Sequence, residues 1–270
     1  MGVRRIRSAL ASALLSGGLG IAHADNVCTL IVDAGSGQSL RQEGSCDRRV
    51  TPASTFKIAI ALMGFDAKVL KDEHTPALPF RKGYPDWLPV WKMTTDPASW
   101  IKNSVVWYSQ QVMQMLGEPR VKRYLQAFRY GNEDLSGDAG ENNGLKRAWL
   151  SSSLQISPHE QIAFLRKVVN RRLPVSAHAY DMTAHVTALK TLSNDWELHG
   201  KTGTGAPVNA DGSRDWQHSY GWFVGWAQKD QRRVVFARLI QDQKPEETRA
   251  GVRARDELLS ELPATLKTLE

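Results

Sequence analysis

A serine and a lysine three residues apart are the residues of this chain best suited to covalent chemistry. Ser54 and Lys57 have this spacing, which on one helix places the hydroxyl and the amine on the same face, about one turn apart. A serine hydroxyl becomes a good nucleophile when a neighbouring group accepts its proton, and a neutral amine can do so. The pair therefore predicts acyl transfer through a covalent intermediate on Ser54.

The same spacing occurs a second time, at Ser99 and Lys102, so the surrounding sequence decides between the two pairs. An apolar run, residues 58–63, follows Lys57 and should bury its amine. Burial disfavours the charged form of a lysine and lowers its pKa, which suits a base. Ser99 and Lys102 have polar neighbours and no such run, which predicts a solvated surface turn. The competing interpretation of Ser54 is a helix N-cap, which its local sequence also fits.

Three further short motifs follow the first pair along the chain. They are Ser104-Val105-Val106, Tyr130-Gly131-Asn132 and Lys201-Thr202-Gly203. With the first pair they resemble the penicillin-recognising serine acyltransferases, and in detail the class D β-lactamases of the oxacillinase type. A class A enzyme would carry Ser-Asp-Asn as its second motif, where this chain has Ser-Val-Val. The resemblance covers nearly all of the mature chain and implies a hydrolase that opens cyclic amides, the β-lactam antibiotics.

The resemblance implies an unusual general base. In class D enzymes a buried neutral lysine, here Lys57, reacts with carbon dioxide or bicarbonate to give a carbamate, which acts as base in acylation and deacylation. Val106 would cover this pocket, and the indole N–H of Trp149 would donate a hydrogen bond to the carbamate. The alternative role of Trp149 is ordinary core packing. No cofactor other than this source of the carbamate is expected.

The resemblance also implies which groups bind and activate the substrate. Ser104 would relay a proton toward the lactam nitrogen, and Lys201 beside it would supply positive charge. The backbone N–H groups of Ser54 and Thr204 would form an oxyanion hole. Arg249 would bind the substrate carboxylate through its fork of donors. The expected substrate-binding residues are Thr202, Gly203, Thr204 and Arg249.

Two of these assignments leave an alternative open. Arg253 and Arg255 lie close to Arg249 in the sequence, so the choice among the three arginines is the looser part of the match. The Tyr130-Gly131-Asn132 segment is interpreted as wall and turn, and a simple turn without substrate contact is equally consistent with its sequence.

The order of sequence patterns predicts an α/β (α+β) fold, an antiparallel sheet flanked by helices. Strand-like runs at 29–33, 38–43, 219–227 and 233–240 lie near the two ends of the chain, and a closing helix is expected over 246–262, ended or kinked by Pro263. The family fold, that of serine β-lactamases and penicillin-binding transpeptidases, implies an α/β lobe of about residues 25–65 and 190–270. A mostly helical lobe of about residues 66–189 would be inserted in it, within one domain spanning 25–270.

The N-terminus resembles a secretory signal peptide. Three arginines precede an apolar stretch, residues 9–22, and Ala22-His23-Ala24 fits the cleavage pattern, so residues 1–24 should be removed and the mature protein is expected in the periplasm. Loss of the three arginines lowers the formal charge from +7 to +4. An oxidising compartment also favours a disulfide between Cys28 and Cys46, the only cysteines, which a predicted hairpin brings near each other. The alternative is two buried thiols.

Other classes of function are disfavoured by the sequence. The charges are scattered and aromatic residues do not alternate with lysines, which excludes a typical nucleic-acid surface. Gly200-Lys201-Thr202 is not a phosphate-binding loop, since Asp195 stands where that loop needs glycine. No metal site is predicted, because His159-Glu160 lacks a second histidine at Ala163. The expected partners are small-molecule β-lactams, with no nucleic acid and no membrane anchor, and the pattern favours no particular oligomeric state.

Two rival functions would use the same nucleophile. A cell-wall transpeptidase or carboxypeptidase also acylates its serine, but it is usually tethered to the membrane and lacks a carbamate pocket. A β-lactam sensor domain binds the drug covalently and stays acylated. Such sensors hang from a transmembrane relay module, which this sequence does not encode. Both rivals are therefore less favoured than hydrolysis.

Overall fold

A five-stranded antiparallel sheet forms the centre of the computed structural model, which describes residues 24–192, 195–267 and 269. The predicted signal peptide lies almost wholly outside these residues. The strand order is β2-β1-β5-β4-β3, so the two ends of the chain build one sheet and β3 lies at its edge. The strands are β1 (Asp25–Asp33), β2 (Ser39–Gly44), β3 (Glu197–Gly205), β4 (Tyr220–Lys229) and β5 (Arg232–Gln241).

Among the residues that the structure describes, seven α-helices separate β2 from β3, and an eighth follows β5. This arrangement confirms the predicted α+β fold with helices inserted between the N- and C-terminal parts of the sheet. The helices are α1 (Lys57–Asp66), α2 (Pro97–Asn103), α3 (Val106–Leu116), α4 (Glu118–Phe128), α5 (Gly144–Arg147), α6 (Pro158–Val169), α7 (Ala177–Thr187) and α8 (Ala250–Lys267).

Both faces of the sheet are covered, because apolar side chains alternate along its inner strands. Leu30, Trp222 and Val235 point into the larger core, which includes the whole of α1. Ile31 follows Leu30 in the chain, and Phe223 follows Trp222. Both Ile31 and Phe223 point into the smaller core, against α8. The sheet is therefore the middle layer, with α1 and α6 on one face and α8 on the other.

The N-terminal hairpin is longer than predicted and carries the expected disulfide. Cys28 pairs with Gly44 in the β1–β2 register, and Cys46 lies two residues beyond that position. Gly44 has a φ of +74°, and a Cβ there would lie 2.3 Å from the Val27 carbonyl oxygen, so only glycine lets the chain turn back here. Cys28 and Cys46 are bonded, with 5.1 Å between their Cα atoms.

The last helix differs from its prediction at both ends. It continues through Pro263 to Lys267, so the proline does not end it. Leu262 and Leu266, on either side of the proline, are both fully buried. Each such leucine contributes about 1.5–3 kcal/mol, which together offsets the roughly 3 kcal/mol cost of an interior proline. The helix also begins at Ala250 rather than at 246, and residues 243–249 form an exposed turn.

The second Ser-x-x-Lys pair does not lie in a surface turn. Ser99 belongs to α2 and forms a capping box with Asp96, in which the Asp96 carboxylate accepts a bond from the Ser99 backbone nitrogen at 2.8 Å. The Ser99 hydroxyl in turn bonds the Asp96 backbone and side chain. Lys102 is exposed at the end of the same helix. Asp96 is thus the N-cap of α2, and Ser99 is its partner in the capping box at the third helical position.

Within the described residues, no helix is long and apolar enough to cross a membrane. In the same residues, no group of three or more His, Cys, Asp or Glu side chains has an arrangement that could hold a metal ion.

Candidate active site

Ser54 and Lys57 lie where a short 3₁₀ turn runs into α1. The turn spans Ala53–Phe56 and Lys57 begins the helix, so the pair crosses a junction between two helix types rather than lying on one regular helix. The Lys57 amine donates a hydrogen bond to the Ser54 hydroxyl at 3.1 Å. Ser54 makes no capping hydrogen bond. Its neighbour Ala53 has a φ of +49°, a conformation that costs on the order of 1 kcal/mol in a non-glycine residue.

The Lys57 side chain is completely buried. Burial lowers the pKa of Lys57 well below its usual value, and the positive charge of Lys201 lowers it further. A neutral amine within hydrogen-bond distance of a serine hydroxyl can accept the serine proton. The geometry and the pKa direction therefore both suit a general base.

Trp149, whose indole N–H is unpaired, packs against the residue that precedes Lys57 in the chain. The Phe56 ring, next to Lys57 in the chain, packs against Trp149 with 5.7 Å between ring centroids. Trp149 is fully buried, and its Nε1 has no hydrogen-bond partner among the described residues. A buried indole N–H normally has a partner, so this donor is available to an additional acceptor. Val106 is also buried, at the start of α3.

The edge strand β3 passes next to the nucleophile turn. A Cβ on Gly203 would lie 2.9 Å from the Pro52 carbonyl oxygen and 3.2 Å from the Ser54 backbone nitrogen, so glycine is required for this approach. Lys201, two residues earlier, is buried and donates to the Thr202 carbonyl oxygen at 3.0 Å. Burial and the nearby charge of Arg255 lower the pKa of Lys201 to about 7.

Ser104 occupies a strained turn between α2 and α3. Its φ of +57° is in the left-handed region, which is uncommon for serine and occurs often at functional sites. The Ser104 backbone nitrogen bonds the Ile101 carbonyl oxygen at 3.3 Å. Buried Trp91 holds the preceding residue, since its indole N–H donates to the Asn103 carbonyl oxygen at 2.9 Å. The turn is therefore fixed from both sides.

An open cleft of about 490 Å³ brings most of the predicted site residues together. Lys57 and Trp149 are buried below its surface, and Lys201 lines a second, adjoining cavity instead. The Tyr130 motif lines neither cavity. The predicted residues that line the cleft are Ser54, Ser104, Val106, Thr202, Gly203, Thr204 and Arg249.

The structure distinguishes among the three neighbouring arginines. Arg253 bonds the buried carboxylate of Asp242 and donates to the Thr248 carbonyl oxygen at 3.0 Å. Arg255 pairs with its neighbour Asp256 and lines the second cavity. Arg249, in the exposed turn before α8, is the one of the three that lines the cleft with Ser54.

Comparisons with known proteins agree with this architecture. Residues 27–264 match the family model of the penicillin-binding protein transpeptidase domain. The chain is 42% identical to the β-lactamase OXA-9 of Klebsiella pneumoniae, over 88% of each chain, and 42% identical to the β-lactamase OXA-1 of Escherichia coli, over 74% of this chain and 70% of OXA-1. The crystal structure of the class D β-lactamase OXA-427 superposes with a TM-score of 0.85 at 48% identity, covering 90% of this chain and 99% of the other. The chain belongs to the class D β-lactamases.

Sequence reasoning assigned no role to Trp87 or Leu150, which line this class D site. Trp87 and Trp216 line the cleft and remain more than half exposed, at 60% and 56%. Trp91 and Leu150 line it as well. The count of nine tryptophans indicated an aromatic-lined cleft, but no local pattern indicated which of them would lie there.

A buried polar junction of this class D chain was also not predicted. The Thr51 hydroxyl is hydrogen-bonded to the Tyr220 hydroxyl and accepts a bond from the Ser151 nitrogen at 3.2 Å. The Ser151 hydroxyl accepts from the Ala206 nitrogen at 3.1 Å. These bonds join the segment before Ser54, the segment after Trp149 and the end of β3. The junction therefore fixes three parts of the site relative to one another.

The Tyr130-Gly131-Asn132 motif is a structural turn. Gly131 has a φ of +56°, and a Cβ there would lie 2.0 Å from the Gln155 carbonyl oxygen. Asn132 bonds the Gln155 backbone through both its own backbone nitrogen and its side-chain oxygen, at 2.9 Å each. Tyr130 is fully buried, with its ring 5.1 Å from that of Phe56. The motif thus supports the nucleophile turn from behind and does not line the cleft.

Proposed function

We propose that this class D β-lactamase hydrolyses β-lactam antibiotics through an acyl-enzyme on Ser54, with Lys57 as the general base of both half-reactions. The single observation that carries the proposal is the hydrogen bond between a fully buried amine of lowered pKa and a serine hydroxyl 3.1 Å away. A protonated lysine could not accept the serine proton, so the lowered pKa of Lys57 supports its role as the base.

In acylation, the Ser54 oxygen would attack the lactam carbonyl carbon while its proton passes to the Lys57 side chain. The N–H groups of Ser54 and Thr204 would stabilise the developing oxyanion, a contribution that is commonly several kcal/mol. The lactam C–N bond then breaks, and the leaving nitrogen takes up a proton through Ser104. Opening the ring leaves an ester on Ser54.

Two cations would hold the substrate carboxylate. Arg249 lines the cleft, and Lys201 adjoins it at Thr202, which lines both cavities. Arg253 forms an ion pair with Asp242 and also donates a hydrogen bond to the carbonyl oxygen of Thr248. Because Thr248 directly precedes Arg249, these contacts fix the turn that carries Arg249. Arg249 itself would then be free to make a bidentate contact with a carboxylate.

The finer proposal is that Lys57 is carboxylated at Nζ. A neutral amine adds carbon dioxide with loss of one proton, and the product supplies a carboxylate base in place of the amine. Two observations support the fit: the lowered pKa of Lys57, and the unpaired, buried Nε1 of Trp149, which could donate to a carboxylate oxygen. Val106 would shield this group from the cleft. No metal is part of the proposed mechanism.

In deacylation, the Lys57 side chain would take a proton from water as the water oxygen attacks the ester carbon. The bond between that carbon and the Ser54 oxygen breaks, and the proton returns to Ser54. The net reaction adds one water molecule to one lactam. A sensor or a transpeptidase would lack efficient water attack, and the three named β-lactamase relatives at 42–48% identity make both alternatives less supported.

An intact-mass time course with excess benzylpenicillin tests this function. A hydrolase should return to the mass of the free protein once the penicillin is consumed, with many equivalents of ring-opened product per protein. A protein that keeps one equivalent of penicillin for hours, without product release, would be a sensor. Product formation only in the presence of an amine acceptor peptide would indicate a transpeptidase.

Export to the periplasm belongs to the same proposal. The signal-like residues 1–24 and the Cys28–Cys46 disulfide support it, because disulfides persist in oxidising compartments. Expression of the full chain in a Gram-negative host should yield a periplasmic protein that begins near Asp25. A protein retained in the cytoplasm with residues 1–24 intact would contradict this part.

A further inference from the structure

A second cavity, of about 520 Å³, adjoins the cleft, and apart from Lys201 and Thr202 its lining residues have no role in the proposed reaction. It is lined by the end of α2, the segment that follows α7, the strand β3 and one residue of α8. Thr202 lines both this cavity and the cleft. The volume falls within the range of small-molecule sites. We refer to it as the basic cavity.

Four cationic side chains line the basic cavity. Lys201 is its buried member, only 6% exposed, and its amine has the neutral Thr202 carbonyl as its hydrogen-bond acceptor. Lys102 and Lys190 are exposed at the rim, and within the described residues neither forms a hydrogen bond or an ion pair. Arg255 is paired with Asp256 at 2.8 Å. Three of the four cations thus lack an anionic partner.

The one carboxylate that lines the basic cavity does not compensate these charges. Glu73 is hydrogen-bonded to the imidazole of His185, another lining residue, and also lies 3.6 Å from His74, so this one carboxylate offsets at most one of the four cations. The cavity holds more cationic side chains than carboxylates, which gives it a positive potential that concentrates anions there. Burial is the main cause of the low pKa of Lys201, and the charge of Arg255, which lines the same cavity, lowers it further.

Part of the remaining wall is apolar, and Thr187 and Thr202 add polar groups to it. Ile101, Val186 and Phe223 are buried, and Leu189 is 41% exposed at the mouth. A bare inorganic ion would leave this surface in contact with water, whereas an anion with an apolar body would bury it. The cavity therefore combines the features of a site for an organic anion.

We infer that the basic cavity binds an organic dianion, a dicarboxylate with an apolar body, with one carboxylate near Lys201 and the other near the rim lysines. Lys102 and Lys190 come from separate elements, and Lys201 lies deeper than either. A ligand with two anionic groups joined by an apolar spacer matches this arrangement better than a ligand with a single anionic group. The inference shares Lys201 with the proposed function, but its test measures binding and not hydrolysis, so the failure of one is distinguishable from the failure of the other.

Isothermal titration with benzene-1,3-dicarboxylate at low ionic strength tests the site. The wild-type protein should bind one equivalent with a dissociation constant below roughly 1 mM. The neutral diamide of the same ring should not bind. The double variant Lys102→Gln and Lys190→Gln should weaken binding by about tenfold, as expected for two exposed ionic contacts. Its matched control is Lys82→Gln with Lys267→Gln, two exposed lysines away from the cavity, which should bind as the wild type does.

The Arg249→Ala variant separates the basic cavity from the cleft. Binding in the cleft would depend on Arg249, so the inference predicts that this variant binds the dicarboxylate with unchanged affinity. Absence of saturable binding, equal affinity in the Lys102→Gln and Lys190→Gln double variant, or loss of binding in Arg249→Ala would each overturn it. A far-ultraviolet spectrum and a melting curve for each variant establish that it is folded.

Discussion

Gly203 and Ser54 approach each other so closely that a Cβ on Gly203 would lie 3.2 Å from the Ser54 backbone nitrogen. That nitrogen is one of the two proposed oxyanion donors, and the other belongs to Thr204, the next residue after Gly203. The contact between the nucleophile turn and β3 therefore sets the width of the proposed oxyanion hole.

Replacing Gly203 by alanine should widen this contact and slow hydrolysis. The new Cβ would also lie 2.9 Å from the Pro52 carbonyl oxygen, so backbone must shift by a few tenths of an ångström. Misplaced oxyanion donors commonly cost 10- to 100-fold in kcat. Steady-state rates on benzylpenicillin measure the effect. Gly35→Ala is the control, since a Cβ there meets only an ordinary 3.5 Å contact. Wild-type kcat in Gly203→Ala would contradict the proposed arrangement.

Activity should depend on bicarbonate through Lys57 and Trp149. As pH falls through the lowered pKa of Lys57, the amine becomes protonated, loses bound carbon dioxide and can no longer act as base. Rates should therefore fall on the acid side and recover when bicarbonate is added. Trp149→Phe keeps an aromatic ring but removes the unpaired N–H, so it should raise the bicarbonate concentration needed for half-maximal activity several-fold.

Trp196→Phe is the matched control for this experiment. Trp196 is also fully buried with an Nε1 that lacks a partner among the described residues, but it lies in the smaller core next to α8. Its replacement should leave the bicarbonate dependence unchanged. An active protein that gives no lysine carbamate signal with carbon-13 bicarbonate would eliminate the carbamate while leaving the family assignment intact.

Lys201→Met should stabilise the protein at neutral pH while impairing catalysis. The ordinary pKa of 10.5 falls to about 7 in the folded state, so the unfolded chain binds more protons between these values. The stability cost of burying this amine is therefore largest below about pH 7 and fades as pH rises toward 10.5. Removing the amine should raise the free energy of unfolding at pH 7 by on the order of 2 kcal/mol.

Urea denaturation at several pH values measures this gain, and Lys82→Met, an exposed position, is the control. The advantage of Lys201→Met should shrink with rising pH. Loss of the charge should also lower kcat/KM on benzylpenicillin, by roughly 10- to 100-fold. A Lys201→Met variant that is less stable than the wild type at pH 7 would contradict this interpretation of the buried amine.

The Cys28–Cys46 bond should contribute stability without affecting catalysis. It closes a loop between residues 18 apart in sequence, which corresponds to about 3 kcal/mol in the loop-entropy model. The double variant Cys28→Ser and Cys46→Ser should lose about this much free energy of unfolding and keep its kcat at 25 °C. Thiol titration of the unfolded, non-reduced wild type should find no free thiol. Two titratable thiols in exported protein would show that the bond does not form in the cell.

The fold and the placement of Ser54 beside Lys57 could be predicted because they depend on local patterns. A three-residue spacing next to an apolar run defines one buried helical face, and the two alternating runs near the C-terminus define adjacent strands. The extents of elements were less predictable. Pro263 lies inside α8 because burial of Leu262 and Leu266 outweighs the tendency of proline to end a helix. A prediction from the sequence alone has to assume that this tendency prevails.

The rest of the site depends on contacts between distant segments. The Thr51–Tyr220 bond joins residues 169 positions apart, and no periodicity marks either residue. Trp87 and Trp216 line the same cleft from loops whose shapes are set by tertiary packing. The choice of Arg249 over Arg253 likewise required knowing that Asp242 is buried beside Arg253.

The central claim is that Ser54 is the nucleophile. Benzylpenicillin turnover by the Ser54→Ala variant, compared with turnover by Ser99→Ala, tests it most directly. Both serines precede a lysine by three residues, but Ser54 accepts a hydrogen bond from its lysine at 3.1 Å, whereas Ser99 bonds Asp96 in the capping box of α2. Ser54→Ala should reduce benzylpenicillin turnover below a few per cent of wild type and form no acyl-enzyme by intact mass, with an unchanged melting curve. Ser99→Ala should keep near wild-type turnover and lose about 1 kcal/mol of stability from its cap. Substantial turnover by Ser54→Ala, or its loss in Ser99→Ala alone, would contradict the account.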